Sequence, residues 1–267
     1  SAHGGLLVID GDAGLRCDGG VCAFGANVIT GRAASLIDCS SGCKHVGLNV
    51  ATRDGNGTVL LLGGDDVLVE RNRFAGNCGE VIGIAMGADE ATGMTWGTTA
   101  RLENNEVRVG ANTTDCGGLP NSSVAVAVRG SSKPELHSNT FEVGCHPETD
   151  FSAVLLIQTT EQGGAYLNNI LINGSCPSPA VVLEGQPILL SHNLFDSVAG
   201  ALLDDDGLVY DDIGTINQRF APWEVGGNRE GAASVTGNWV GTGTSVRAPL
   251  RNINGSPRMP PFNIGPL

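Results

Sequence analysis

The sequence predicts an all-β solenoid: a right-handed single-stranded parallel β-helix of about eight rungs, with an asparagine ladder and inserted loops. Three observations predict it. An apolar residue, two variable residues, asparagine, one variable residue and a second apolar residue recur eight times along the chain. Forty glycines, 4% aromatic residues and two lysines, Lys44 and Lys133, make a poor helical bundle, because each interior glycine costs a helix roughly 1 kcal/mol. Short apolar runs precede most of the repeated asparagines, with the length and β-branched texture of strands.

The repeats begin with Phe24-Gly-Ala-Asn27-Val-Ile29, Val46-Gly-Leu-Asn49-Val-Ala51 and Val69-Glu-Arg-Asn72-Arg-Phe74. Leu102-Glu-Asn-Asn105-Glu-Val107, Leu136-His-Ser-Asn139-Thr-Phe141 and Tyr166-Leu-Asn-Asn169-Ile-Leu171 follow. Leu190-Ser-His-Asn193-Leu-Phe195 and Val235-Thr-Gly-Asn238-Trp-Val240 complete the set. Successive asparagines are 22, 23, 33, 34, 30, 24 and 45 residues apart. The shortest spacings suit one turn of a three-stranded coil, and the longer ones measure inserted loops. Asparagine suits a tight corner because it tolerates the left-handed backbone region and carries both donors and acceptors. Stacked rungs would let these amides satisfy one another inside the coil, where an unpaired amide costs on the order of 1–3 kcal/mol.

Thr58-Val-Leu-Leu-Leu62, Val81-Ile-Gly-Ile-Ala85, Val124-Ala-Val-Ala-Val128, Ala153-Val-Leu-Leu-Ile157 and Ala180-Val-Val-Leu183 are apolar on both faces. A solvated strand should alternate, so this sheet is expected to be covered from outside, above all over Leu60, Ile84, Leu156 and Val182. The cover is expected from the chain's own insertion near residues 197–233, with another subunit or a ligand as alternatives; an uncovered row would serve oligomerisation. The expected organisation is an N-terminal cap over residues 1–23, a coil over 24–240 and a tail over 241–267 packing on the coil.

Eight cysteines read as disulfides of an exported protein, placing the chain in an extracellular, cell-surface or periplasmic setting. Cys78, Cys145 and Cys176 lie 6, 6 and 7 residues past their asparagines, and Cys116 lies 11 past its own. Rungs about 4.8 Å apart favour Cys78 with Cys116 and Cys145 with Cys176, while Cys17, Cys22, Cys39 and Cys43 staple the N-terminal cap in an unassigned order. A chain that begins at Ser1 without a leader fits a processed or trimmed form. No apolar run is long enough to span a membrane.

The asparagine ladder on a 22-to-24-residue coil, from about Phe24 to Val240, resembles the pectate-lyase-like superfamily. Within it, Arg129-Gly-Ser-Ser-Lys-Pro-Glu-Leu-His-Ser-Asn139-Thr-Phe141 and Val67-Leu-Val-Glu-Arg-Asn72-Arg-Phe74 are similar to the generic bacterial right-handed β-helix repeat proteins. That resemblance implies the fold more strongly than the function, since the group holds sugar hydrolases, surface proteins and members without an assigned role.

A net charge of −13 without a basic stripe excludes a nucleic-acid partner. Lyases of this fold need a base beside a uronate carboxylate and a cation to neutralise it; Arg129 and Lys133, on adjoining stretches of one rung, are the candidates. Hydrolysis needs two carboxylates flanking the glycosidic bond. Glu70, Glu103 and His137 each lie two residues before a repeated asparagine, so they are expected to form an outward column able to act as acid and base or to bind a cation. Asp204, Asp205, Asp206, Asp211 and Asp212 form an acidic group whose chemistry suits calcium; no cofactor is otherwise required. The favoured expectation is a secreted or cell-surface, non-catalytic protein that binds a polysaccharide or a surface protein, with Trp96, Trp223 and Trp239 available for stacking on sugars. The alternative is a polysaccharide lyase or glycoside hydrolase, calcium-assisted in one version.

Overall fold

The computed structural model describes residues 2–9, 14–17, 22–84, 87–88, 95–96, 98–110, 122–144, 151–160, 164–174, 176–185, 188–197, 201–220, 227–233, 243, 248–249, 251–258 and 264–265, with 2–9, 87–88 and 95–96 as backbone strands. Their dominant feature is a solenoid of stacked parallel strands. Three stacks recur in chain order. The first contains Ser35–Cys39, Thr58–Leu62, the C-terminal half of Arg73–Ile84, Ser122–Gly130, Phe151–Thr159, Val181–Gly185 and Leu203–Asp205. The second runs through His45–Gly47, Asp65–Glu70, Thr99–Glu103, Glu135–His137, Ala165–Leu167 and Leu189–Ser191. The third runs through Val50–Asn56, the start of Arg73–Ile84, Glu106–Val109, Thr140–Val143, Ile170–Gly174, Leu194–Ser197 and Arg229–Glu230.

Register makes the core columnar. Val46, Val69, Leu102, Leu136, Tyr166 and Leu190 align on the second stack. Ile29, Ala51, Phe74, Val107, Phe141, Leu171 and Phe195 align on the third. All of them are buried, so the two apolar residues of each repeat are the inward knobs of adjoining strands. Burial also suppresses ionisation of the Tyr166 hydroxyl, whose pKa is raised far above its ordinary value.

Between those strands stands the ladder. Asn27, Asn49, Asn72, Asn105, Asn139, Asn169 and Asn193 each donate Nδ2 to the Oδ1 of the next rung's asparagine at 2.9–3.0 Å. Each Oδ1 from Asn49 onward also accepts the backbone N–H of the asparagine before it. A second Nδ2 bond reaches a backbone carbonyl, as from Asn105 to Val69 and from Asn139 to Leu102. Donors and acceptors are thereby balanced inside a dry corner.

Two expectations about this corner need correction. The left-handed residue is the one before the ladder asparagine: Leu48, Arg71, Asn104, Ser138, Asn168 and His192 have φ between 55° and 60°. The ladder residue is selected for its inward amide, and its predecessor makes the turn with its side chain outward. The partner of Asn193 is Asn228, which sits in Gly-Gly-Asn228-Arg-Glu; Asn238 lies outside the described residues. Asn228 is in turn met by Asn217 of the helix Ile213–Phe220, whose Oδ1 accepts the Asn228 N–H at 2.7 Å and its Nδ2 at 2.8 Å. That helix buries Ile216 and Phe220 against the core, so it caps the coil end and supplies one more amide to the ladder.

The apolar first stack also differs from expectation. Leu60 and Ile84 point into the main core. The outer face holds Val124, Ala127, Ala153, Leu156 and Val182 with Phe151, and none of the five is more than 7% exposed in the single chain. Among the described residues these side chains are therefore buried within the single chain. Described residues of the 197–233 insertion act elsewhere: Leu203–Asp205 extends the first stack and the helix packs on Leu189–Ser191 and Leu208–Tyr210. C-terminal residues lie along the corner column, with Asn104 Nδ2 donating to Arg251 O, Arg71 Nε to Ile253 O, and Gly265 N to Asn168 O. Ile264 packs with Ile170 and Leu194.

Cys17 pairs with Cys22 and Cys39 with Cys43, closing equivalent corners of successive turns. Cys78 and Cys176 are also disulfide-bonded, whereas Cys116 and Cys145 lie outside the described residues. Among the described residues no helix is long and apolar enough to cross a membrane.

Candidate functional site

Outside the second stack, two columns flank the inward one. Glu70, Glu103 and His137 align on three consecutive strands, as their common offset requires. Arg101 and Glu135 align beside them. These two share an offset of four before the asparagine, as does His45, so the sequence held the signal for this second column. It was missed because Leu68 interrupts the column on the intervening strand.

A groove of ≈ 380 Å³ opens over this face, lined by Asp66, Thr99, Ala100, Arg101, Lys133 and Glu135. Asp66 has φ 57° and donates its N–H to Thr99 Oγ1 at 3.0 Å, which fixes the groove floor. Arg101 is 58% exposed and lies 3.6 Å from Glu103. Glu135 contacts His137 at 3.5 Å, and Glu70 contacts His45 at 3.1 Å. His137 is buried where Glu70 is half-exposed; the C-terminal segment is fastened to Asn104 and Asn168 on the adjoining corner.

Glu103 is held above the ordinary carboxylate range, first by burial and then by Glu70 and Glu135, against the opposing pull of Arg101. In the pH interval between its unfolded and folded values, the folded chain keeps a proton that the unfolded chain releases. Its contribution to stability therefore falls as pH rises through that interval. Glu103→Gln removes this dependence, so the melting temperature of wild type relative to the variant should decline as pH is raised from acid to neutral.

Of the remaining candidates, Lys133 reaches this face and the others do not. Arg129 makes two hydrogen bonds to Glu80 on the first stack, one at 2.6 Å, and that pairing raises its pKa. Arg129 and Lys133 thus occupy different sites: one is bound to a carboxylate, the other lines the groove. Asp204, Asp205 and Asp212 are engaged at the coil's C-terminal end. Asp206 and Gly207, with φ 49° and 85°, form the two-residue loop between Leu203–Asp205 and Leu208–Tyr210, the signature of a type I′ hairpin. Asp204 accepts the Gly207 N–H, Asp205 contacts Arg219 at 3.3 Å, and Asp212 caps the helix through the Thr215 hydroxyl and N–H, which lowers its pKa. Their strands stack on Val181–Gly185 of the first stack, so they do not fold over Glu70, Glu103 and His137. Among the described residues no group of three or more His, Cys, Asp or Glu side chains is arranged to hold a metal ion. The side chains of Trp96, Trp223 and Trp239 lie outside those described.

Comparison with protein-family models, with curated proteins and with solved structures found no match.

Proposed function

We propose that the chain is a right-handed β-helix of about eight rungs, exported to an oxidising compartment, that binds a polysaccharide without cleaving it. Right-handedness follows from the strong preference of parallel crossovers for that hand. The four disulfide-bonded positions of the N-terminal region, with Cys78 and Cys176, support the compartment.

The observation that carries the binding reading is the groove over Asp66, Thr99, Arg101, Lys133 and Glu135. It presents cationic donors, a hydroxyl and carboxylate acceptors on a rigid strand face, a lining matched to ring hydroxyls. The pairing of Glu70, Glu103 and Glu135 with His45, Arg101 and His137 supports binding over catalysis, because each carboxylate already has a charged or titratable neighbour. Isothermal titration against neutral and acidic polysaccharides is the direct test, with Arg101→Ala and Lys133→Ala expected to weaken binding at least tenfold together and leave the melting temperature near wild type. Unchanged affinity would remove the groove from the reading.

One observation favours a hydrolase as the second reading: Glu103 combines a raised pKa with two carboxylates nearby, the setting of a general acid. In that reading Glu103 protonates the leaving oxygen and Glu70 or Glu135 acts opposite it.

A further inference from the structure

The coil's C-terminal end presents an unusual edge. Leu208–Tyr210 pairs antiparallel with Leu203–Asp205 and, among the described residues, with no other strand. Leu208 and Val209 are 60% and 56% exposed, the most exposed large apolar side chains of the described residues. The strand is also held firmly. Its hairpin turn has two left-handed residues, Leu202 N–H donates to Tyr210 O at 2.9 Å, and Tyr210 stacks edge-on against Phe220 at 6.2 Å.

In a two-residue hairpin the residues flanking the loop, Asp205 and Leu208, exchange hydrogen bonds, and the next opposed pair does not. Val209, opposite Asp204, belongs to that second pair, so its N–H and C=O face away from the sheet. A free peptide group flanked by exposed apolar side chains is the template that strand addition uses. Carboxylates frame it: Asp206 lies before the strand and Asp211 and Asp212 follow it, all exposed, while Arg219 is engaged by Asp205.

We propose that Leu208–Tyr210 docks an extended, basic segment of a partner protein by strand addition, with apolar residues over Leu208 and Val209 and lysine or arginine against Asp206 and Asp211. This goes beyond the groove reading and involves a different end of the molecule. A second copy of the chain fits poorly, since two ends framed by carboxylates on chains of net charge −13 repel each other.

The test uses the full chain and two blocked synthetic peptides, a valine run flanked by lysines and the same run flanked by glutamates, measured by fluorescence anisotropy at low and moderate salt. The lysine peptide should bind at least tenfold more tightly than the glutamate peptide, weaken with salt, and slow hydrogen exchange at Val209. Val209→Lys should lose at least tenfold in affinity, and the doubly substituted Asp206→Asn, Asp211→Asn chain should lose severalfold, with both keeping the wild-type melting curve. Val209→Pro, which deletes the free N–H, gives a second loss that charge alone would not produce. Equal binding of both peptides, no binding of either, or full affinity in Val209→Lys would overturn the proposal. Self-association of the wild type that Val209→Lys abolishes would also overturn it, in favour of a second copy.

Discussion

Asn105→Ala is expected to lower the unfolding free energy by about 3 kcal/mol, because it breaks the ladder in the middle and leaves several buried groups unsatisfied at once. The Asn105 Oδ1 accepts the Asn72 N–H and Nδ2, at 3.0 and 2.9 Å. Its Nδ2 donates to Asn139 Oδ1 and to Val69 O, at 3.0 and 2.9 Å. Alanine replaces none of these, and a corner with no exposed surface at Asn72, Asn105 or Asn139 offers little room for water to substitute. Asn228→Ala should behave similarly, since Asn228 accepts from Asn193 and donates to Leu190 O and Asn217 Oδ1. Urea unfolding of the two variants checks both statements, and a wild-type midpoint for Asn228→Ala would contradict the ladder ending described above.

Arg53→Met is the second large effect, expected to cost roughly 2–3 kcal/mol. Arg53 is 4% exposed, and its guanidinium reaches the carbonyls of Ala33 at 2.6 Å and of Arg32 and Asp54 at 3.3 Å. Burial lowers its pKa, with Asp54 acting in the opposite direction, so the three carbonyls offset the cost of holding a cation inside the fold. Methionine keeps the aliphatic stem and removes only the donors, which isolates the polar contribution. Chemical denaturation of the folded variant measures it directly.

Periodicity made the coil legible. The apolar residues around each asparagine had to point inward, and Val46, Val69, Leu102 and Leu136 do so in register. The Asn228 rung escapes the motif because Asn228 is followed by Arg229 and Glu230, while Asn238, outside the described residues, carries the full apolar flanks. At the coil end the helix supplies Ile216 and Phe220, so the terminal strand does not need the usual inward residue. The outward side of the first stack was harder to read. Apolar residues on both faces announce a cover but not its source, and Leu60 and Leu61 are adjacent in sequence yet face opposite ways.

The site was legible only in part. A fixed offset from the asparagine brought out Glu70, Glu103 and His137, whereas Arg101 and Glu135 needed the register of the strands to become a face. Arg129 and Lys133 look paired along the chain but are separated by the bend between two stacks. The aspartates read along the chain as an acidic group, and only the structure shows that Asp204 closes a hairpin turn and Asp212 caps a helix.

The central claim, binding without cleavage at the second-stack groove, is tested most directly by incubating the chain with a panel of neutral and acidic polysaccharides, with calcium and with chelator. Bound polysaccharide, new reducing ends and unsaturated sugars are scored in the same samples. Retention of at least one polysaccharide is expected, with no new reducing ends and no unsaturated product. Release of reducing ends that Glu103→Gln abolishes would contradict it and make Glu103 the acid of a hydrolase.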